Sequence, residues 1–573
     1  MAVRRAGLAG LAALLCAACR DTQAGTGPPQ TGVTDTTLLA AQADSTGWQV
    51  NGHAYDNTRF TPASQINAGN VAQLQPAWRH VYWEGDSALG AKAVGRLEVA
   101  TPVVANGVIY YTASPNIALA VDARTGRELW RYTHKVAKKT ALCCSMVNRG
   151  VALYRDRVFM ATVDAHLVAL NSRNGRVVWN RKVADPADGY SHTIAPLVVQ
   201  GLVIVGASGG EFGARGFVDA YDVERGRRRW RFWTVPSPDE GGWWGSWSAR
   251  TPDGDSLPRD LARERADSAK YADAWRRGGG GVWTTPAYDP GSGLIFFGTG
   301  NPSPVVDGGS RPGDNLYTAS LVALQVTTGR LAWYYQIVPH DMWDFDAASA
   351  PILFSLVQGQ DSVPVLAHAS KVGWLYVLDR RTGRRVTRSE PLVPQRNLFA
   401  APTREGTLTA PSGFGGTNWS PIAYSPRTRL VYVVAMLGEM TYVLDPAPYR
   451  GKGIRYMGGR MRPGPDTLET GVVHAVDPAT GTIRWTAHWP KPLHQSGVLA
   501  TGGDLVFFGE PGGKLVALDG GTGKQLWSYH VAASLQAPPI SYVLDHRQYV
   551  AVASPEGLVT FALPLSSSDS AAK

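Results

Sequence analysis

The chain has 573 residues, 44% hydrophobic and 18% charged, with 64 Gly and 38 Pro spread along its length. That composition excludes a disordered chain, a collagen repeat and a coiled coil, and the surplus of Gly and Pro predicts many turns. The net charge of +10 comes from scattered Lys and Arg with no long basic block, which argues for a solvated surface and against a nucleic-acid partner.

The chain opens MAVRRAGLAGLAALLCAAC, with Arg4 and Arg5, an apolar run from Ala6 to Ala18 and small residues before Cys19. This is the layout of an export signal, expected over residues 1–19. The run is too short to cross a membrane as a mature helix, and no other apolar stretch reaches the roughly 18 residues required. Leu15-Cys16-Ala17-Ala18-Cys19 also resembles a bacterial lipoprotein signal, with Cys16 where Leu is usual, so lipid attachment at Cys19 and plain cleavage nearby both stay open. Either outcome predicts a periplasmic protein. Residues 20–45, rich in Thr, Gly, Ala and Asp, read as a flexible tether, and 566–573 as a disordered tail. Of four Cys, two lie in the signal and two are adjacent, Cys143 and Cys144, in a compartment where disulfides persist. No Cys-x-x-Cys-His motif occurs, so no c-type haem is attached to this sequence.

Between 46 and 565 one pattern recurs: an apolar run, Asp or a polar substitute, two residues, Thr-Gly or a variant, three residues, Trp. It ends at Trp130, Trp179, Trp230, Trp333, Trp485 and Trp527, and WLYVLDRRTGRR from Trp374 is a copy without the last Trp. A period of about 40–50 residues with several short strands per unit is the signature of propeller blades. Units open near Pro102, Gly150, Pro196, Pro286, Pro351, Pro421, Gly497 and Pro538, which predicts an all-β, eight-bladed propeller. The last unit lacks a Trp turn, and NVAQLQPAW, ending at Trp78, is expected to supply its missing strand. Two stretches exceed the period. One, between Trp230 and Trp283, has helix-forming composition in its second part and stands either as a roof over a site or as decoration. The other, PAPYRGKGIRYMGGRMRPGP, reads as a long loop.

Several polar residues fall in loops between these strands. Glu211 lies in GASGGEFGARG, Asn301 in GTGNPSP, and Asp344 and Asp346 in PHDMWDFDAAS. Carboxylate and amide oxygens from successive blades suit a hard cation such as Ca²⁺. Single acids in loops are usually just solvated; it is the equivalent position in neighbouring blades that makes them a set.

From about residue 46 to 563 the chain resembles the quinoprotein dehydrogenases, eight-bladed propellers that oxidise alcohols or sugars with pyrroloquinoline quinone (PQQ) and a bound metal. GWQVNGHAYDNTRFTPASQINAGNVAQLQPAW, GRLEVATPVV, CCSMVNRGVALY, GASGGEFGARG, GGGVW, GTGNPSP, GDNLYTASLVAL, PHDMWDFD, KVGWLYVLDRRTG and GGTNWSP follow in family order. The resemblance implies that Trp283 stacks under the quinone and that Cys143 and Cys144, joined as a vicinal disulfide, cover its other face. It implies cofactor contacts from Glu98, Arg149, Thr193, Ser208, Gly209, Asn418 and Trp419. It implies that Glu211, Asn301 and Asp344, with Asp346 beside them, hold the metal, that Asp344 is the general base, and that Lys371 reaches the quinone oxygen. Gly281 stands where many members have Thr, and Gly210 where Ala is common. An acid at Asp346 accompanies lanthanide use in methanol-type members, but sugar-oxidising membrane members share it and look closer to this chain. Ca²⁺ or Mg²⁺ is therefore expected, with a lanthanide as the alternative. The sequence thus predicts an exported PQQ-dependent dehydrogenase for a sugar, polyol or alcohol, passing electrons to a separate cytochrome c or quinone. The alternative is a non-enzymatic propeller lipoprotein that acts as a scaffold in envelope assembly.

Overall fold

The computed structural model describes residues 31–83, 98–114, 116–136, 146–358, 360–464, 470–491 and 496–565. The expected export signal, Cys143, Cys144 and the expected tail 566–573 lie outside the described residues.

Eight sheets of antiparallel strands in sequential order form the blades of a propeller. Their first strands are Val103–Ala105, Val151–Tyr154, Leu197–Val199, Ala287–Asp289, Ile352–Gln358, Ala423–Ser425, Val498–Thr501 and Ile540–Leu544, numbered here as blades 1 to 8. Each starts one or two residues past the Pro or Gly expected to open the unit. The reason is local: Pro has no N–H to give a ladder and Gly turns the chain, so both sit just outside a strand. The recurring apolar run is the third strand of its blade, as in Ile117–Asp122, where every side chain but Asp122 is buried. The Trp lies on the fourth strand, at the outer edge.

That Trp joins neighbours. Trp130 donates its indole N–H to the Ser172 carbonyl of the next blade at 2.7 Å, and Trp179 does the same to Val223 at 3.1 Å. The ring lies on the turn glycine of that blade: Gly175 has φ +67°, and a Cβ there would come within 2.6 Å of the Trp130 ring. The Thr-Gly turn therefore needs Gly for its backbone and for its lack of a side chain. Blade 5 carries the copy without Trp, and Gly481 of blade 6 packs instead against the Arg388 and Ser389 backbone, with Glu390 N–H donating to the Gly481 carbonyl at 2.9 Å.

The ring closes as the sequence predicts. Gln75–Val81 pairs antiparallel with Gly557–Ala562 as the outer strand of blade 8, and its Trp78 indole donates to Ala123 of blade 1. A second closure is not visible in the repeat. Residues 48–61 run along the inner strands at the axis: Trp48 pairs with Val104, Tyr288 N–H donates to the Tyr55 carbonyl, Leu353 N–H to Asp56, and Phe60–Thr61 adds a parallel strand to Val498–Thr501. The fully buried Arg59 guanidinium donates to the carbonyls of Val498 and Pro539 at 2.7 Å each and of Asn51 at 3.0 Å.

Two expectations are corrected. The tether does not extend to residue 45: Val33, Leu38 and Ala41 are buried, and Asp35–Ala40 is a helix capped by Thr34, because these apolar side chains pack against the propeller. The excursion before Gly464 is not only loop. Met440–Leu444 and Gly459–Pro463 pair with each other and with Thr407–Thr409 as a separate three-stranded sheet. The insertion after Trp230 holds one short helix, Leu261–Asp267, and a small core of Val235, Trp243 and Ala274.

Candidate functional site

In an antiparallel blade, the residues before the first strand and after the second emerge at the same end. Arg149, Thr193, Trp283, Asp344, Asp346, Asn418 and Trp419 precede first strands, while Ser208, Gly209, Glu211, Asn301 and Lys371 follow second strands. All twelve line one cavity of about 290 Å³ at that end. Glu98 is the described exception: it is buried but does not line the cavity. Its carboxylate accepts the Ala100 N–H at 3.0 Å, and burial pushes its pKa up to about 8.

Asp344 sits at φ +66° in a loop held from beneath by Asp341, which accepts the N–H groups of Trp343 and Phe345 at 2.9 Å each. Lys371 reaches across from blade 5 and donates to the Asp344 carbonyl at 2.8 Å, its carboxylate at 3.2 Å and that of Asp346 at 3.4 Å. The other Asp346 oxygen accepts the Trp283 indole N–H at 3.1 Å. One carboxylate thus orients both the indole and the ammonium. Burial pushes the Asp344 pKa well up, against Lys371, and the charges of Asp346 and Glu211 add to the rise. Glu211 is raised as well, by burial and by Asp346. Burial opposes the charge on Lys371, but Asp344 and Asp346 outweigh it and hold the ammonium above its ordinary value.

Glu211 is on a short 3₁₀ turn, Gly210–Phe212, entered through Gly209 at φ +122° and left through Gly213 at +68°. Gly209 also has the Gly189 carbonyl where a Cβ would be. Asn301 donates its amide N–H to the Pro302 carbonyl at 2.8 Å, which fixes the side chain. Asp344 and Asp346 are turned toward Lys371, and among the described residues no three His, Cys, Asp or Glu side chains form a metal cluster unaided. A hard cation here would rest on the mixed acid and amide oxygens of Glu211, Asn301 and Asp344.

In the same cavity, the Arg149 guanidinium lies 4.9 Å from the Trp283 ring centroid and 5.5 Å from that of Trp419, and burial lowers its pKa to about 9. It has no carboxylate partner among the described residues; Nη1 donates to the Thr193 carbonyl at 3.1 Å. Arg149 Nε, Asn418 Oδ1 and Trp419 Nε1 are buried without a partner among the described residues. A half-buried cation and orphan polar atoms beside an indole face are costly unless a ligand completes them. The chemistry they call for is flat, hydrogen-bonding and anionic.

Sequence reasoning missed the outer half of the site. A second space of about 590 Å³ shares Glu211, Asp344 and Phe414 with the first and is lined by Met440, Arg455, Met457, Gly459, Arg460, Met461 and Pro463. Its walls come from the three-stranded sheet and the Arg- and Met-bearing excursion. Those residue types were the available signal.

Comparison with known proteins bears on this arrangement. Residues 48–397 match the family described as glucose/ethanol/alcohol dehydrogenase, beta-propeller domain, and residues 469–562 match that of outer membrane protein assembly factor BamB. The chain is 36% identical over 526 residues to quinoprotein alcohol dehydrogenase PedH of Pseudomonas putida, covering 88% of this chain and 85% of that one. Its structure matches quinohemoprotein alcohol dehydrogenase from Comamonas testosteroni at a TM-score of 0.79 and 30% identity, over 93% of this chain and 83% of that one. It also matches a europium-containing methanol dehydrogenase at 0.77 and 31%, over 90% and 91%. The relatives are alcohol dehydrogenases, so the expected leaning toward sugar-oxidising members gives way, as does the scaffold alternative.

Proposed function

The chain belongs to the PQQ-dependent quinoprotein alcohol dehydrogenases, enzymes acting on CH–OH groups, and we propose that it oxidises an alcohol at Asp344 in this cavity, in the periplasm. The observation that carries the reading is Arg149, a half-buried cation with no carboxylate partner among the described residues, set against two indoles in the cavity that also holds the acids.

The site residues fit PQQ. Trp283 offers the flat face, Arg149, Thr193, Ser208 and Asn418 offer polar contacts to its carboxylates and edge, and the orphan atoms are those such a ligand would complete. When bound, PQQ supplies the two-electron acceptor for hydride from the alcohol carbon. Asp344, raised by burial and by its acidic neighbours, is suited to take the hydroxyl proton. Lys371 holds that carboxylate in place and brings a positive charge to the side where negative charge develops. Asp346 positions both Lys371 and Trp283.

Glu211, Asn301 and Asp344 would hold the ion, which would act as a Lewis acid. Three carboxylates against Lys371 and Arg149, with an anionic cofactor to be added, favour a trivalent ion, and the europium-containing neighbour supports this over the expected Ca²⁺. With no Cys-x-x-Cys-His in the sequence, the electrons are assigned to a separate acceptor. The test is reconstitution with PQQ and ethanol, reading dye reduction with Ca²⁺, Mg²⁺ or a light lanthanide. Turnover with the lanthanide supports the proposal, turnover with Ca²⁺ alone refutes the metal assignment, and no turnover with any alcohol or ion refutes the function.

A further inference from the structure

The outer space is polarised. Its inner end is acidic, at the half-buried Glu211 and Asp344; its walls are Phe414, Met440, Met457, Met461 and Pro463; its remaining charged side chains, Arg455 and Arg460, are exposed to solvent. Both arginines come from residues 446–464, a segment with five cations and no acid. Lys452 is tied to Asp188 at 2.6 Å and Arg460 reaches Asp445 at 3.6 Å, whereas Arg455 makes no ion pair among the described residues.

Resting on the alcohol dehydrogenase reading, we propose that the preferred substrates are amphiphilic alcohols with an apolar chain and a distal anionic group, whose carboxylate is received by Arg455. The orientation follows from charge. With the ion and the cofactor taken up at the inner end, Arg455 is the cation of the lining without an ion pair among the described residues, so a distal anion is drawn to it and the hydroxyl is the group presented to Asp344. The Met walls suit the chain between, because thioether side chains adapt to flexible apolar ligands. A basic rim could also dock an acidic redox protein; the sharing of Glu211, Asp344 and Phe414 between the two spaces favours the small molecule.

The experiment compares kcat/KM for ω-hydroxyhexanoate and hexanol on the reconstituted enzyme, in wild type, Arg455→Gln, Arg455→Lys and Arg462→Gln. The wild type is expected to favour the hydroxy acid. Arg455→Gln lowers the ratio about tenfold, the scale of one hydrogen bond to a charged group. Arg455→Lys keeps most of the ratio, and Arg462→Gln, an exposed cation of the same segment outside the lining, keeps it all. Calorimetry of hexanoate binding, which needs no turnover, should weaken in Arg455→Gln. A wild-type ratio at or below unity, an equal loss in Arg462→Gln, or slower acceptor reduction with both substrates alike overturns the proposal. If neither alcohol turns over, it is the dehydrogenase reading that fails, and a hexanoate affinity unchanged by Arg455→Gln then rejects the arginine's role too.

Discussion

Replacing Asp344 with Asn tests the proposed base with little disturbance of its surroundings. Lys371 keeps the Asp344 carbonyl at 2.8 Å and the Asp346 carboxylate at 3.4 Å, so the ammonium retains two of its three acceptors. Asp346 still holds the Trp283 indole at 3.1 Å, and Asp341 still holds the loop through Trp343 and Phe345. What disappears is one buried negative charge and the capacity to take a proton. General base catalysis contributes roughly 10² to 10⁴ in rate, so kcat in the dye assay should fall by that factor. Cofactor binding, followed by quenching of Trp283 fluorescence, should persist. If the carboxylate also holds the ion, the metal concentration for half-saturation rises, and excess metal restores occupancy but not turnover. Full activity in Asp344→Asn at saturating metal would refute the assignment.

Three further outcomes follow. Trp179→Ala removes a buried indole and its bond to Val223, and should lower stability to denaturant by about 3–5 kcal/mol; a change under 1 kcal/mol would mean that inter-blade docking carries little. Asp346→Ala frees Trp283 and removes one of the three acceptors of Lys371 while leaving Asp344 in place, so a large fall in kcat with a normal melting temperature would mark it as a positioning residue, and unaltered kcat would deny it that role. Glu98 has its folded pKa raised to about 8, so this group holds more proton in the folded apoprotein than in the unfolded chain between roughly pH 4.5 and 8, and its contribution to stability falls as pH rises through that window. Glu98→Gln should flatten this dependence, and an identical slope in the variant would contradict it.

The blade starts were legible because the ends of strands are local chemistry: Pro102 before Val103 and Gly497 before Val498 mark boundaries whatever the rest of the fold does. Trp78 was legible because the last unit lacks the closing Trp that six other copies carry, and NVAQLQPAW offers one. Asp344, Glu211 and Asn301 were read as a set from their place in successive blades, and they do share a cavity. Residues 48–61 were not legible, because their partners are mainly backbone carbonyls and N–H groups, which any sequence presents. The sheet made by Thr407–Thr409, Met440–Leu444 and Gly459–Pro463 escaped because Gly, Pro and Arg dominate the last of these strands and mask its alternation. Glu98, which the resemblance sets at the cofactor, is buried and does not line this cavity.

Arg59 belongs to an early stretch of the polypeptide, yet two of the carbonyls it needs, at Val498 and Pro539, leave the ribosome near the end of synthesis. No shorter nascent chain can satisfy that guanidinium. Assembly is therefore a late event of long-range contacts, intrinsically slow, and the growing polypeptide stays open in the meantime. The topology itself postpones the knot at its hub.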